Sequence, residues 1–327
     1  MYCRKLYSFP LWHISRKITT EFKNPKLQLF LEQGIKFPDY VYGVKEFSPS
    51  EVVIHTKESI EEITNACLIA RKILTKLQSL LIPGKSTDSI DKYAMELCLE
   101  HEVYPSPLLY NGFPCSICTS LNNVAIHGIP SAKDVLNPGD LLSVDVTIFN
   151  GKAHGDCCET FLVAEGSDVN QSDKFALQEH LLECARRACE AGIKACFPGA
   201  KLSSIAEAIS QEAFESGCRV IAGIGGHGIG KFFHGPPYVP HSVYEEVDPS
   251  IESMKLRPGQ VFTIEPVIAA PASEEAIATN ELLEVLALPK VSKEDGWSVF
   301  TTDKALTAQF EETVVITYSG AKILTHK

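Results

Sequence analysis

Apolar residues at 60, 63, 66, 67, 70, 73 and 74 keep the three-and-four spacing of a helix face. A helix is therefore expected from Ser59 until Pro83-Gly84 ends it. Ser86-Thr87-Asp88 offers the cap of a second helix, running to about His101. A turn-rich aromatic passage, Tyr104 to Pro114, leads to a short strand expected over 116–120. From Ser143 the pattern alternates, and two strands are expected around Asn150-Gly151, a strong hairpin signal. A two-residue turn there sets Asp145 directly opposite Asp156, with Cβ atoms roughly 5 Å apart. Like charges so placed repel, so the pair calls for a shared proton or a cation, of which a divalent metal is the simplest. Two solvated acids on a hairpin face are the alternative.

The second half repeats this order. Helices are expected over Phe175 to about Lys194 and Ser203 to Ser216, separated by Pro198-Gly199. Asp145 follows Pro138-Gly139 as Glu265 follows Pro258-Gly259, each seven residues after the proline. Two helices, a Pro-Gly break and a strand carrying an acid thus recur, which reads as an internal duplication of two α/β halves framing one site. On Gln309 to Thr317, Gln309, Glu311 and Thr313 share one strand face, with Phe310, Glu312 and Val314 on the other.

The chain has 327 residues, 45% of them apolar, enough for a large core. Its net charge of −11 argues against nucleic-acid binding through a broad basic surface, and no apolar run is long enough to span a membrane. Eleven cysteines lack a framework spacing, and Cys115-x-x-Cys118 has no second pair, so reduced thiols are expected. Residues 1–20 carry Arg4, Lys5, Arg16 and Lys17 and no acid, the composition of a mitochondrial transit peptide, with a plain basic tail as the alternative. Residues 21–54, broken by Pro25, Pro38 and Pro49, read as a linker and arm; the main domain is expected over 55–327.

Asp145, Asp156, Glu265 and Glu311, with one imidazole from His227 or His234, which both sit among glycines that let backbone approach closely, form a donor set suited to two divalent ions sharing oxygen ligands. Such a set favours Mn²⁺, Fe²⁺, Co²⁺ or Zn²⁺. The glycine run is interrupted by His227 and lacks a following Rossmann acid, so phosphate binding is weakly supported.

Ile126-His127-Gly-Ile-Pro, Ser143-Val-Asp145, His154-Gly-Asp156, Gly226-His227-Gly-Ile-Gly, Phe233-His234-Gly, Phe262-Thr-Ile-Glu265-Pro and Ala308-Gln-Phe-Glu311 together resemble the type I methionine aminopeptidases over about residues 55–325. Tyr104-Pro-Ser-Pro-Leu, Asn122-Asn-Val and the basic leader resemble the mitochondrial subclass. The resemblance implies an α/β (α+β) pita-bread fold, with pseudo-two-fold duplication around a dinuclear metal site. It implies metal ligation by Asp145, Asp156, His227, Glu265 and Glu311. Attack by a hydroxide between the metals is implied, with Glu265 as proton shuttle and His127 and His234 on the substrate. Phe113, Cys118, Phe233 and Trp297 match the methionine pocket. The implied activity is removal of the initiator methionine from nascent or short peptides with a small, uncharged second residue. It would act as a monomer in the mitochondrial matrix, with the cytoplasm and a place near the ribosome left open.

The chain departs from the family at Ile126, where Cys is usual, and at Cys115, where Lys is. Cys157-Cys158 replaces Thr-Ser, and Glu312 replaces a His but points away from the metal. The stretch 268–296 is longer than the family's and is expected to be a mobile flap near the entrance. A non-catalytic pita-bread binding protein and an X-Pro peptidase are the rival readings.

Overall fold

The computed structural model describes residues 24–45, 48–164 and 174–326. The expected transit peptide over 1–20 lies outside them.

Asn24 caps and Pro25 opens a helix, α1 (Pro25–Glu32), in the stretch expected to be a linker. It buries Leu27 and Phe30, and the Phe30 and Phe37 rings lie 5.5 and 5.1 Å from Tyr104. Next come α2 (Lys57–Leu77), capped by Thr56, and α3 (Thr87–Glu100), capped by Ser86, as the spacing predicts. The strands β1 (Tyr104–Pro105), β2 (Cys118–Leu121), β3 (Val124–Ile126), β4 (Leu141–Phe149) and β5 (His154–Leu162) follow. β2 begins later than the sequence pattern suggests because Asp91 Oδ1 takes the amides of Ser116 (2.6 Å) and Ile117 (3.3 Å) out of the ladder.

The second half contains α4 (Ala176–Lys194), α5 (Ser203–Glu215), β6 (Arg219–Ile221), β7 (Gly226–Gly228) and β8 (Gly235–Val239). These are followed by α6 (Pro249–Glu252), β9 (Val261–Ile264), β10 (Val267–Ala269) and α7 (Glu274–Thr279). β11 (Leu286–Ala287), β12 (Pro289–Val291), β13 (Val299–Thr301), β14 (Thr307–Thr317) and β15 (Gly320–Ile323) complete the order.

The main sheet runs β1-β4-β5-β14-β10-β6-β11, with β2 on β4, β15 on β14, and β9 joining β14 to β7 and β8. Alternation along its strands decides which face is which. Leu142, Val144, Val146, Ile148 and Cys157 join one core with α2 and α3. Phe262, Ile264, Val314 and Ile316 join another with α4 and α5. Two helix pairs thus cover one side of the sheet, one for each half, as the repeat predicts. The residues between them in sequence, including Asp145, Asp156, Thr263 and Glu311, therefore point to the opposite side.

The hairpin register differs from expectation. Thr147, not Asp145, stands opposite Asp156, and Asp145 stands opposite Cys158. The cause is Asn150, whose Oδ1 accepts the amides of Lys152 (3.0 Å) and Ala153 (2.9 Å) and closes a four-residue turn in which Gly151 has positive φ. The slip is two residues, so both aspartates keep the same face and become diagonal neighbours.

The long stretch before Trp297, expected as a mobile flap, carries helix and strand of its own. α7 is followed by a turn whose Leu283 is buried, β11 pairs in parallel with β6, and β12-β13-β3 form a second sheet.

At Gly155, beside Asp156, a Cβ would lie 2.2 Å from Cys67 N and 2.4 Å from Ala66 C, so α2 seats directly on β5 only because no side chain intervenes. Gly155→Ala is expected to destabilise the fold by about 1–3 kcal/mol or more, read as a lowered thermal midpoint; an unchanged midpoint would refute this account of how α2 packs.

Candidate metal centre

Five donors converge on the open face of the sheet. β4 supplies Asp145, β5 Asp156, β7 His227, the end of β9 Glu265, and β14 Glu311. Donor atoms of Asp156, His227 and Glu311 lie within 4.8 Å of one another. His227 Nε2 is 3.8 Å from Asp156 Oδ2 and 3.7 Å from Glu265 Oε1. β7 can come this close because Gly226 has no Cβ; one there would meet the Thr263 carbonyl at 2.0 Å. His227 Nδ1 donates to the Gly228 carbonyl (3.2 Å), which leaves Nε2 as a lone-pair donor facing the carboxyls.

The electrostatics of this cluster are severe. Burial pushes the Asp145 carboxyl up to about 7 and that of Glu265 to about 8. Burial and repulsion from neighbouring acids raise Asp156 and Glu311 well above the carboxylate range. Burial lowers His127 and His227 to about 4, so both imidazoles are neutral. Asp145 Oδ1 is buried without a hydrogen-bond partner among the described residues. Oxygen-rich, crowded and with a bare buried acceptor, the donor set fits divalent cations, which would take the place of the protons.

A cavity of about 200 Å³ opens on the donors, and the expected pocket residues Phe113, Cys118, Phe233 and Trp297 line it together with His127 and His234. Trp297 packs edge-on to Phe113 at 5.2 Å and to His127 at 6.0 Å. His127 holds a positive φ of 57°, a conformation disfavoured for a side-chain-bearing residue and characteristic of functional positions.

A model of metallopeptidase family M24 matches residues 61–318. The chain belongs to this family. Within the M24 group it is 37% identical to zebrafish (Danio rerio) "Methionine aminopeptidase 1D, mitochondrial" over 89% of its length and 78% of the relative's. It is 36% identical to "Methionine aminopeptidase A" of Synechocystis, over 84% of this chain and 97% of that one. The crystal structure of methionine aminopeptidase from Rickettsia prowazekii superposes with a TM-score of 0.72 at 31% identity, over 84% of this chain and all of that one. The architecture is thus the pita-bread fold of the methionine aminopeptidases. Prolidase from Pyrococcus furiosus, at 22% identity and a TM-score of 0.56, shares the fold alone.

The M24 scaffold here contains supports that the motifs did not reveal. Thr147 donates to Asp156 Oδ1 (2.6 Å), Thr263 to Glu265 Oε1 (2.8 Å) and Gln309 Nε2 to Glu265 Oε2 (3.4 Å). Tyr110 Oη lies 3.0 Å from His234 Nδ1. The alternation rule could have found Thr147, Thr263 and Gln309, since each lies two residues from or faces a donor; Tyr110 left no such trace. Glu312, the departure beside Glu311, lies on the helix side as expected, where Arg71 (2.9 Å) and His326 (2.6 Å) compensate it. Cys157 faces the same way and is buried.

Carboxyls raised this far favour the metal-free fold most below their ordinary values of 3.8 and 4.5, and that advantage fades as pH rises through about 7–8. A cation needs the ionised forms, so its affinity rises over the same window, about tenfold per pH unit for each proton released. The rise in melting midpoint on adding Mn²⁺ is expected to be larger at pH 8 than at pH 6, and to vanish in Asp156→Asn and Glu311→Gln. Equal increments at both pH values, or increments that survive these changes, would contradict the assignment.

Proposed function

We propose that this chain is a dinuclear metalloaminopeptidase that removes the N-terminal methionine from nascent or short peptides whose second residue is small and uncharged. One observation carries the reading: a single cavity of about 200 Å³ joins the side chains of Phe113, Cys118, Phe233 and Trp297 to the carboxylate cluster. The aromatic and thiol lining of Phe113, Cys118, Phe233 and Trp297 suits a thioether. Two divalent ions held by Asp145, Asp156, His227, Glu265 and Glu311 would polarise the scissile carbonyl and acidify the attacking water.

The remaining steps belong to side chains. Glu265, braced by Thr263 and Gln309, accepts the proton of the attacking water and passes it to the departing amine. His127, neutral through burial, assists departure of that amine. His234 is likewise held neutral by burial and by His227 and His127; it hydrogen-bonds the substrate carbonyl as charge develops there, with its ring oriented by Tyr110.

Co²⁺, Mn²⁺, Fe²⁺ and Zn²⁺ all suit the donors. The mitochondrial names of relatives and the basic leader support the mitochondrial matrix as the site of action, with the cytoplasm as the alternative. No helix among the described residues is long and apolar enough to cross a membrane. The net charge of −11 speaks against nucleic acid as a partner, and the family resemblance supports a monomer acting on peptides.

The test is release of methionine from Met-Ala-Ser by the full chain, metal-stripped and then reloaded, with X-Pro dipeptides as the comparison. Metal-dependent release of methionine is expected; cleavage of X-Pro substrates alone would establish the prolidase reading, and no cleavage would favour a binding protein. Glu265→Ala is expected to lower kcat by about 10²–10⁴-fold, and full turnover in that variant would exclude its role as shuttle. A fluorescent fusion of residues 1–50 should enter mitochondria; retention in the cytosol would exclude the matrix.

A further inference from the structure

Arg219 is the bulkiest fully buried side chain among the described residues, and the chemistry above gives it no task. Its Nε and Nη2 donate to the Ala270 carbonyl at 2.9 and 2.6 Å, and Nη1 donates to the Leu283 carbonyl at 3.0 Å. Nη2 also lies 2.8 Å from Asp303 Oδ2, and each of the paired side chains is 2% exposed. A guanidinium keeps its charge in a protein interior, so its burial is tolerable only with acceptors held around it.

These partners, two carbonyls that accept hydrogen bonds and one carboxylate that supplies only the opposite charge, are far apart in sequence. Ala270 follows β10; Leu283 lies in the turn after α7, just before β11 pairs with β6; Asp303 follows β13, shortly before β14. One side chain therefore touches the start, middle and end of the long stretch between β10 and β14. Trp297 rides on that stretch. Asp295 accepts hydrogen bonds from the amides of Trp297 (2.7 Å) and Ser298 (2.9 Å), which fixes the loop to β13. β13 pairs with β3, directly before His127. The docking of this hairpin thus sets where the indole stands against Phe113 and His127.

We propose that Arg219, with Asp303, is a positioning residue that holds Trp297 in the wall of the methionine pocket and so sets side-chain specificity. The consequence for specificity rests on the proposed aminopeptidase activity; the anchoring itself does not. Lysine, with one compact ammonium, cannot serve two separated carbonyls and a carboxylate as the planar guanidinium does.

The test uses the full chain carrying Trp12→Phe, which leaves Trp297 as its single tryptophan. In Arg219→Gln, Arg219→Lys and Asp303→Asn, acrylamide quenching of Trp297 is expected to increase. KM for Met-Ala-Ser is expected to rise about tenfold with kcat changed far less, the scale on which a pocket contact discriminates side chains. Peptides beginning with leucine should be rejected less strongly. In a Trp297→Ala background, Arg219→Gln should raise KM no further, since residues that act through one contact are not additive. A lowered melting midpoint with unchanged quenching and KM would reduce Arg219 to a fold staple, and multiplying effects would show that it does not act through Trp297. If Arg219→Gln does not fold, Asp303→Asn, which keeps the side chain's shape, decides the question. If the parent cleaves no peptide, the function fails while quenching still decides the anchoring.

Discussion

Four carboxyl groups crowded against one another on the open side of a sheet are the constraint on which this structure turns. At the distances seen here, with Asp156 and Glu311 buried, they cannot all ionise without compensating positive charge. His227, neutral by burial, supplies a lone pair and no charge. The fold supplies cations to charges elsewhere, as Arg71 does for Glu159 and Glu312 on the opposite side of the same strands. Among the described residues, no Lys or Arg lines the cavity on the open side. The contrast between the two faces of β5 and β14 is the strongest physical argument that the missing charge comes from bound metal.

The rest of the architecture makes that concentration of acids tolerable. Two helix pairs bury apolar residues on one side of the sheet, which leaves the alternate positions free to carry donors. The donors sit on five different strands or strand ends, so no single loop movement can disperse them. Neutral hydroxyls and an amide, from Thr147, Thr263 and Gln309, orient the carboxyls without neutralising them. The cavity beside the donors is then built where three separate segments meet, around Phe113, Phe233 and Trp297.

Much of this was legible in the sequence, because periodicity and face are local properties. The stripe from 60 to 74 became the buried side of α2, and the alternation around Asp145, Asp156 and Glu311 assigned each to its correct face. Register was less legible. Asn150-Gly151 suggested a two-residue turn, but the Asn150 side chain bonded to its own turn and lengthened it. The aspartates survived the error only because the slip was even. The helix at Pro25 was hidden among prolines, although Asn24-Pro25 is a cap followed by a helix-opening proline. The stretch before Trp297 looked like a flap because its anchor, Arg219, lies some fifty residues earlier and carries no local signature. Long-range contacts of this kind are what a pattern read along one chain cannot contain.

The most direct test of the central claim is to count the ions. Metal-stripped full chain would be titrated with Mn²⁺ near pH 7.5 and followed by electron paramagnetic resonance. The account predicts two ions per chain that couple magnetically, and loss of that coupled signal in Asp156→Asn. A folded protein that binds no divalent ion, or one whose binding is indifferent to Asp156, would contradict it.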